Sequence, residues 1–206
     1  MKSNTKLIDF LINTGYLKTP SIIKAFKKVD RANFVSRKLR VLSYEDRPLP
    51  AVSGQTISQP STVAFMLEQL GVKAGQKILD IGFGTGWTTA LLSEITGSTG
   101  HVYALEYNIE MYNLGSKNLK LQGCGNITVS HKSGWSGLPQ AQPFDRILVS
   151  ASAQKIPKQL VNQLGSPGRL VIPLVNSIAC ITKDEKGSVN KKEFSGFVFV
   201  PFIEEK

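Results

Sequence analysis

The sequence predicts an α/β domain of the doubly wound type: a mostly parallel sheet with an antiparallel strand at its C-terminal end and short helices added at its N-terminus. Three observations carry this. Lys77-Ile78-Leu79-Asp80-Ile81 is a short continuous apolar run, the pattern of a strand buried on both faces. It turns through Gly82-Phe83-Gly84-Thr85-Gly86 into a helical stretch, Trp87 to Ile95. A second run, His101 to Leu105, then ends on Glu106, twenty residues beyond Gly86. Strand, glycine turn, helix and strand make a βαβ unit, whose two strands lie parallel.

The remaining elements follow in order. Leu7, Ile8, Leu11 and Ile12 fall at helical spacing and Gly15 ends the segment. Thr19-Pro20 supplies an N-cap and a first-turn proline for a second helix, with Ile22, Ile23, Ala25 and Phe26 on its buried side. From Arg31 to Pro50 the periodicity fades into an irregular loop. The polar stretch Ser53-Gly54-Gln55-Thr56-Ile57-Ser58-Gln59-Pro60 leads to a helix whose Val63, Met66, Leu67 and Leu70 share a face, with Ser58 as its expected cap. That stretch reads either as simple capping and turn formation or as a set of fixed hydrogen-bond donors. Tyr107 to Gln122 is expected to be helical and stopped by Gly123, followed by strands at 126–130 and 146–150, a helix at 157–164 and a strand at 169–174. Strands at 178–182 and 194–200, joined by the polar loop 183–193, are expected to form an antiparallel pair. The whole is expected to be one domain, with 1–60 a helical and loop addition and 61–206 the core.

Glycine spacing and charge select a cofactor for the first loop. Glycines at a strand-to-helix turn let backbone N–H groups approach a ligand, with no Cβ in the way. A dinucleotide fingerprint needs a third glycine where Trp87 stands. Asp80, two residues before the first glycine, would repel a pyrophosphate and welcome an amino or sulfonium group. Glu106 can accept hydrogen bonds from both hydroxyls of a ribose. Together these favour S-adenosyl-L-methionine, and the acid followed by G-x-G-x-G resembles the first motif of class I methyltransferases.

Composition excludes several classes. The chain has 41% hydrophobic and 19% charged residues, ordinary for a globular protein. No run approaches the ~20 apolar residues of a membrane span, and Asp9 and Asn13 interrupt the N-terminus before a signal-peptide core develops, so no membrane partner and a cytoplasmic location are expected. Cys124 and Cys180 stand far apart and read as reduced thiols; with only His101 and His131 besides, no metal site is expected. The net charge is +10, and residues 1–50 hold eleven Lys/Arg against four Asp/Glu. Such a front end attracts nucleic acid or acidic peptides, or is a solvated helix face. The absence of an arginine-rich run or interleaved aromatics favours the last.

A longer set of landmarks points further. Val29-Asp30-Arg31, Phe34-Val35, Tyr44, Asp46, Pro48-Leu49-Pro50 and Gly54-Gln55-Thr56-Ile57-Ser58-Gln59-Pro60 are followed by Pro143-Phe144-Asp145, Ile156-Pro157, Gly168 to Pro173 and Phe199-Val200-Pro201. In this order, from Leu7 to Phe202, the chain resembles the protein-L-isoaspartate O-methyltransferases. The resemblance implies a Rossmann-like methyltransferase fold. It implies methyl transfer from S-adenosyl-L-methionine to the free carboxylate of L-isoaspartyl residues in damaged proteins or peptides, the ester then collapsing to a succinimide from which aspartate re-forms. It further implies Ser58 as the catalytic-site hydroxyl. Thr56 and Ile57, with Ser58, would line the methionine side of the cofactor; Asp80, Gly82, Gly84 and Gly86 would hold its amino-acid end and Glu106 its ribose. Val198, Phe199 and Val200 would present strand edge to the substrate backbone, with hydrophobic core the competing account of the aromatics.

One departure stands out. Where the family has an acid in a G-D-G turn facing adenine, this chain has Lys132-Ser133-Gly134-Trp135. Ser133 and Gly134 then face adenine with a neutral partner, weaker by ~1 kcal/mol than a charged one. An attenuated homologue that binds peptide without turnover is therefore one alternative. A nucleic-acid methyltransferase is the other, but Ser150-Ala151-Ser152-Ala153 replaces the N-P-P-Y-like motif of base amino-methylation, and neither cysteine follows a proline.

Overall fold

A computed structural model describes residues 2–203. Helices α1 (Asn4–Asn13) and α2 (Pro20–Lys28) form at the expected places. Arg31 to Pro50 is not shapeless: two 3-10 turns, Arg31–Phe34 and Arg37–Leu42, lead into a two-residue ladder between β1 (Leu49–Pro50) and β2 (Thr56–Ile57). Helix α3 (Pro60–Leu70) then precedes the first long strand, β3 (Lys77–Ile81). The succession continues with α4 (Trp87–Thr96), β4 (His101–Glu106), α5 (Ile109–Gln122), β5 (Ile127–His131), β6 (Phe144–Val149), α6 (Lys158–Asn162) and β7 (Leu164–Leu174). Strands β8 (Ser177–Lys183) and β9 (Val189–Ser195) close it.

The long strands form one sheet of order β5-β4-β3-β6-β7-β8-β9. Pairing is parallel from β5 through β7, and β8 runs antiparallel to β7 and β9. Successive residues of a strand point to opposite faces, so a central strand is apolar on both, with Asp80 the buried exception in β3. Ile78 accordingly joins the core under α1 to α5, whereas Leu79 joins the core on the other face with Ile147, Leu160 and Leu170.

Two expected caps are replaced by remote carboxylates. Thr19 stands at the N-cap of α2, but its hydroxyl donates to Glu68 Oε2 at 2.6 Å, while Glu68 Oε1 accepts from the backbone N–H of Lys18 and Thr19. At the start of α3 Ser58 does not cap. Gln59 occupies that position and Asp46 Oδ1 accepts the Ser61 N–H at 2.8 Å. Asp46 thus satisfies a first-turn donor of α3, and Glu68 fixes the chain as it enters α2.

The C-terminal expectation needs correction. The last strand is Val189–Ser195, which takes in the end of the expected polar loop 183–193 and shares only Phe194 and Ser195 with the expected strand, and the actual turn is 184–188, where Asp184 Oδ1 accepts from Lys186 and Ser188 N–H. As an edge strand β9 is exposed at most positions and has no apolar face to reveal it. The apolar run Phe197 to Val200 is an irregular strap, tied to Ser152 by Ser152 N–H to Val200 O and Phe202 N–H to Ser152 O, each 2.7 Å. Strand β7 also begins earlier than expected and shortens α6, because Gln163 leaves the helix to accept from Leu138 N–H and donate to Ser136 O.

Candidate active site

A cleft of about 180 Å³ opens at the C-terminal ends of β3, β4 and β6, where α/β sheets place their ligands. Its floor is the glycine turn after β3. Gly82 and Phe83 N–H donate to Leu105 O at 2.8 and 3.2 Å, which folds the loop back over β4. Gly84 has φ +55°, and a Cβ there would come within 3.3 Å of Met111 Cε, another lining side chain. The turn therefore needs glycine both for its backbone and for the space above it.

Glu106 lies across from this turn. Its Oε2 accepts the Gly84 N–H and its Oε1 the Asn108 N–H, both at 2.9 Å. The carboxylate is thus held by two amides beside the cleft and keeps lone pairs for further donors. Asn108 in turn caps α5 through its side chain, which accepts from Glu110 and Met111 N–H at 3.0 Å.

Thr56, Ile57 and Ser58 also line the cleft. Ile57 is buried, Ser58 half-buried and Thr56 exposed. Their position is set by Arg31. This residue is completely buried, its guanidinium lies 5.4 Å from the centre of the Trp87 ring, and it donates to the carbonyls of Ser43, Glu45, Arg47 and Ser58 at 2.8 to 3.3 Å. Burial lowers its pKa to about 10, partly opposed by the charge of Asp46. Four carbonyls on one cation convert the irregular segment 43–58 into a fixed wall.

Ser133 and Gly134 close the far end. Ser133 is buried and its Oγ accepts the Trp135 N–H at 3.3 Å, while a Cβ on Gly134 would overlap the Ile81 side chain. Of the C-terminal residues, Val200 reaches the cleft together with Pro201, Phe202 and Ile203. Val198 is 85% exposed and outside it, and Phe199 packs against the core. None of the three is in a strand, so the expected strand edge is absent there.

Two expected cofactor contacts do not reach the cleft. Asp80 is completely buried behind the glycine turn, where its Oδ2 accepts from Thr89 Oγ at 2.6 Å and its Oδ1 has no partner. Burial raises its pKa to about 7, the Thr89 bond opposes this and the charge of Glu106 adds to it. Gly86, with φ +90°, serves packing: a Cβ there would lie 2.9 Å from Leu119 Cγ and 3.1 Å from Gly115 O on α5. Conversely, sequence reasoning misses Tyr107, Asn108, Met111 and Ser150 as lining residues, and Arg31 as their counterpart behind Ser58. Local sequence does not single out Arg31, which stands among Lys27, Lys28, Asp30, Asn33 and Arg37.

The arrangement suits an adenosyl cofactor: amides and a carboxylate for a ribose, a hydroxyl at the end toward Ser133, apolar contacts from Ile57, Phe83 and Met111, and a hydroxyl-bearing wall facing them.

Comparison with known proteins follows the same lines. The family model described as Protein-L-isoaspartate(D-aspartate) O-methyltransferase (PCMT) matches residues 2–206. A protein-L-isoaspartate O-methyltransferase of Ignicoccus hospitalis is 40% identical over 98% of this chain and 97% of its own length. That of Pyrococcus horikoshii is 38% identical over 97% and 92%. Among solved structures, a Plasmodium falciparum chain named as a protein-L-isoaspartate O-methyltransferase, crystallised in complex with S-adenosyl-L-homocysteine, superposes with a TM-score of 0.89 at 24% identity over the whole of both chains, a likeness of fold.

Proposed function

Because the chain belongs to the protein-L-isoaspartate(D-aspartate) O-methyltransferase family, we propose that it is a protein-repair enzyme that transfers a methyl group from S-adenosyl-L-methionine to the free carboxylate of L-isoaspartyl residues in damaged proteins and peptides. The observation that supports this best is that Ser58 and Glu106 line one cleft together with Gly82 and Gly84 of the glycine turn.

Bound in that cleft, the cofactor supplies an electrophilic methyl on a sulfonium centre. The protein's own residues hold and orient. Glu106 would accept from the ribose hydroxyls, Gly82 and Gly84 would leave room at the amino-acid end, Thr56 and Ile57 would flank the methionine side, and Ser133 and Gly134 would meet the adenine. Ser58 donates its hydroxyl to the acceptor carboxylate and fixes the approach of that oxygen. A carboxylate of pKa ~3.5 is already ionised at neutral pH, so no general base is required. The strap of Val200 to Ile203 lines the same cleft and would help to exclude water from the reacting atoms.

We assign Val198 and Val200 to the substrate side and read residues 1–60 as the addition that carries the acceptor wall, since Ser58 belongs to it. No helix among the described residues is long and apolar enough to cross a membrane. We also place the protein in the cytoplasm, a reading supported by the free thiols of Cys124 and Cys180.

The test is methyl transfer to an isoaspartyl peptide and to its normal aspartyl twin. Base-labile label on the first alone is expected; label on neither, from folded protein, overturns the assignment.

A further inference from the structure

The C-terminal half of α5 borders a groove of about 340 Å³ that the methyl-transfer site does not use. The two 3-10 segments and the link between them contribute Asn33, Val35, Arg37 and Arg40, and the helix contributes Leu121 and Gln122. Leu121 is 76% exposed, as is 82% of Val41, the next residue after Arg40. No acidic residue lines the groove, and among the described residues neither arginine forms a salt bridge.

Two guanidiniums without ion-pair partners beside exposed aliphatic side chains offer a surface that can bind a ligand of opposite charge. Guanidinium forks match carboxylates, and the aliphatic groups add apolar contact. No aromatic residue lines the groove, so there is no stacking platform for bases, which argues against single-stranded nucleic acid. What fits is polypeptide bearing acidic side chains.

Placement relates this groove to the cleft. Met111 lines the cleft and Leu121 the groove, both on α5. Ten helical residues span about 15 Å, a distance that about five residues of extended chain cover. We propose that the groove docks an acidic stretch of the same polypeptide whose isoaspartyl residue enters the cleft, so that carboxylates about five or more residues away favour a substrate. This rests on the repair function proposed above.

The experiment compares isoaspartyl peptides that carry a Glu-rich or a Gln-rich block beginning about six residues away, placed on the N-terminal or the C-terminal side. Wild type is set against the double variant Arg37→Gln/Arg40→Gln, with a short peptide lacking any block as the control both should methylate equally. The expected result is a KM about fivefold lower for the Glu-rich block on one side, at low salt and with kcat unchanged, and no such advantage in the variant. Fluorescence anisotropy of a labelled Glu-rich peptide without isoaspartate should show binding to wild type and none to the variant. Equal KM for the two blocks, an advantage that persists in the variant, or displacement of an oligonucleotide rather than an acidic peptide by these substitutions overturns the proposal. If no isoaspartyl peptide is methylated, the repair function fails, and anisotropy alone decides the groove.

Discussion

Arg31 Nη2 donates to the carbonyl oxygen of Ser58 at 3.0 Å, joining the start of a 3-10 turn to the wall of the cleft. The same guanidinium stacks on Trp87, which itself lines the cleft. Arg31 is thus a positioning residue. Arg31→Met would strand several buried carbonyls and should cost about 3 kcal/mol or more in denaturant unfolding. Arg31→Lys keeps the charge but loses the fork, and we expect it to fold, to bind cofactor within about twofold of wild type, and to lose about tenfold in kcat. Steady-state kinetics beside calorimetry with S-adenosyl-L-homocysteine measure the split; an unchanged kcat in Arg31→Lys would remove the positioning role.

Ser58→Ala tests the hydroxyl that Arg31 holds in place. Because the anchor is the Ser58 backbone carbonyl, the variant should keep its loop and its cofactor affinity. One hydrogen bond to a charged acceptor is worth about 1.5–3 kcal/mol, so turnover on an isoaspartyl peptide should fall by roughly 10- to 100-fold. Normal turnover would take Ser58 out of the chemistry.

The parallel strands and the glycine turn are legible in the sequence because burial on both faces forces unbroken apolar runs and the turn forces glycine. Caps are not. Glu68 and Asp46 serve helix ends 49 and 15 residues away, and no local pattern reports such a partner. Strand β9 is hidden for the opposite reason: with Asn190, Lys191, Lys192 and Glu193 exposed at the sheet edge it is polar on both faces. Phe197 to Val200 is apolar enough to resemble a strand, yet Phe197 stacks on Phe65 at 5.0 Å and Phe199 meets the core without joining the sheet. At the cleft, Glu106 and Ser58, singled out by their sequence positions, are among the lining residues, whereas Asp80 and Gly86, which carry the same cofactor-loop pattern, are not.

Glu106→Gln probes the ribose side. An amide has one oxygen to offer where the carboxylate has two, and here two backbone N–H groups are already accepted. Gln can satisfy one of them and leaves the other facing an NH2 group. Affinity for S-adenosyl-L-homocysteine should fall by roughly tenfold or more by calorimetry, with little change in the KM for peptide. Equal cofactor affinity in both proteins would place the ribose elsewhere.

Asp80 makes stability depend on pH with a definite sign. Its folded pKa lies near 7 against an ordinary 3.8, because burial disfavours the charge. Below about pH 4 the carboxyl is protonated in both folded and unfolded chains and no penalty exists. As pH rises from there the unfolded chain releases its proton first, so the folded state binds the extra proton and loses stability until about pH 7, beyond which the penalty is complete. At full burial three pH units correspond to an upper figure on the order of 4 kcal/mol. Asp80→Asn keeps the shape and the acceptor for Thr89 Oγ but cannot ionise. Its cost in amide hydrogen bonding is the same at every pH, so only the difference between the two proteins carries the titration. Between pH 5 and pH 8 in the absence of cofactor, wild type should therefore lose stability relative to Asp80→Asn, seen as a falling difference in denaturation midpoint. Parallel profiles across that range would mean that Asp80 ionises freely and that its unpartnered oxygen is reached by water.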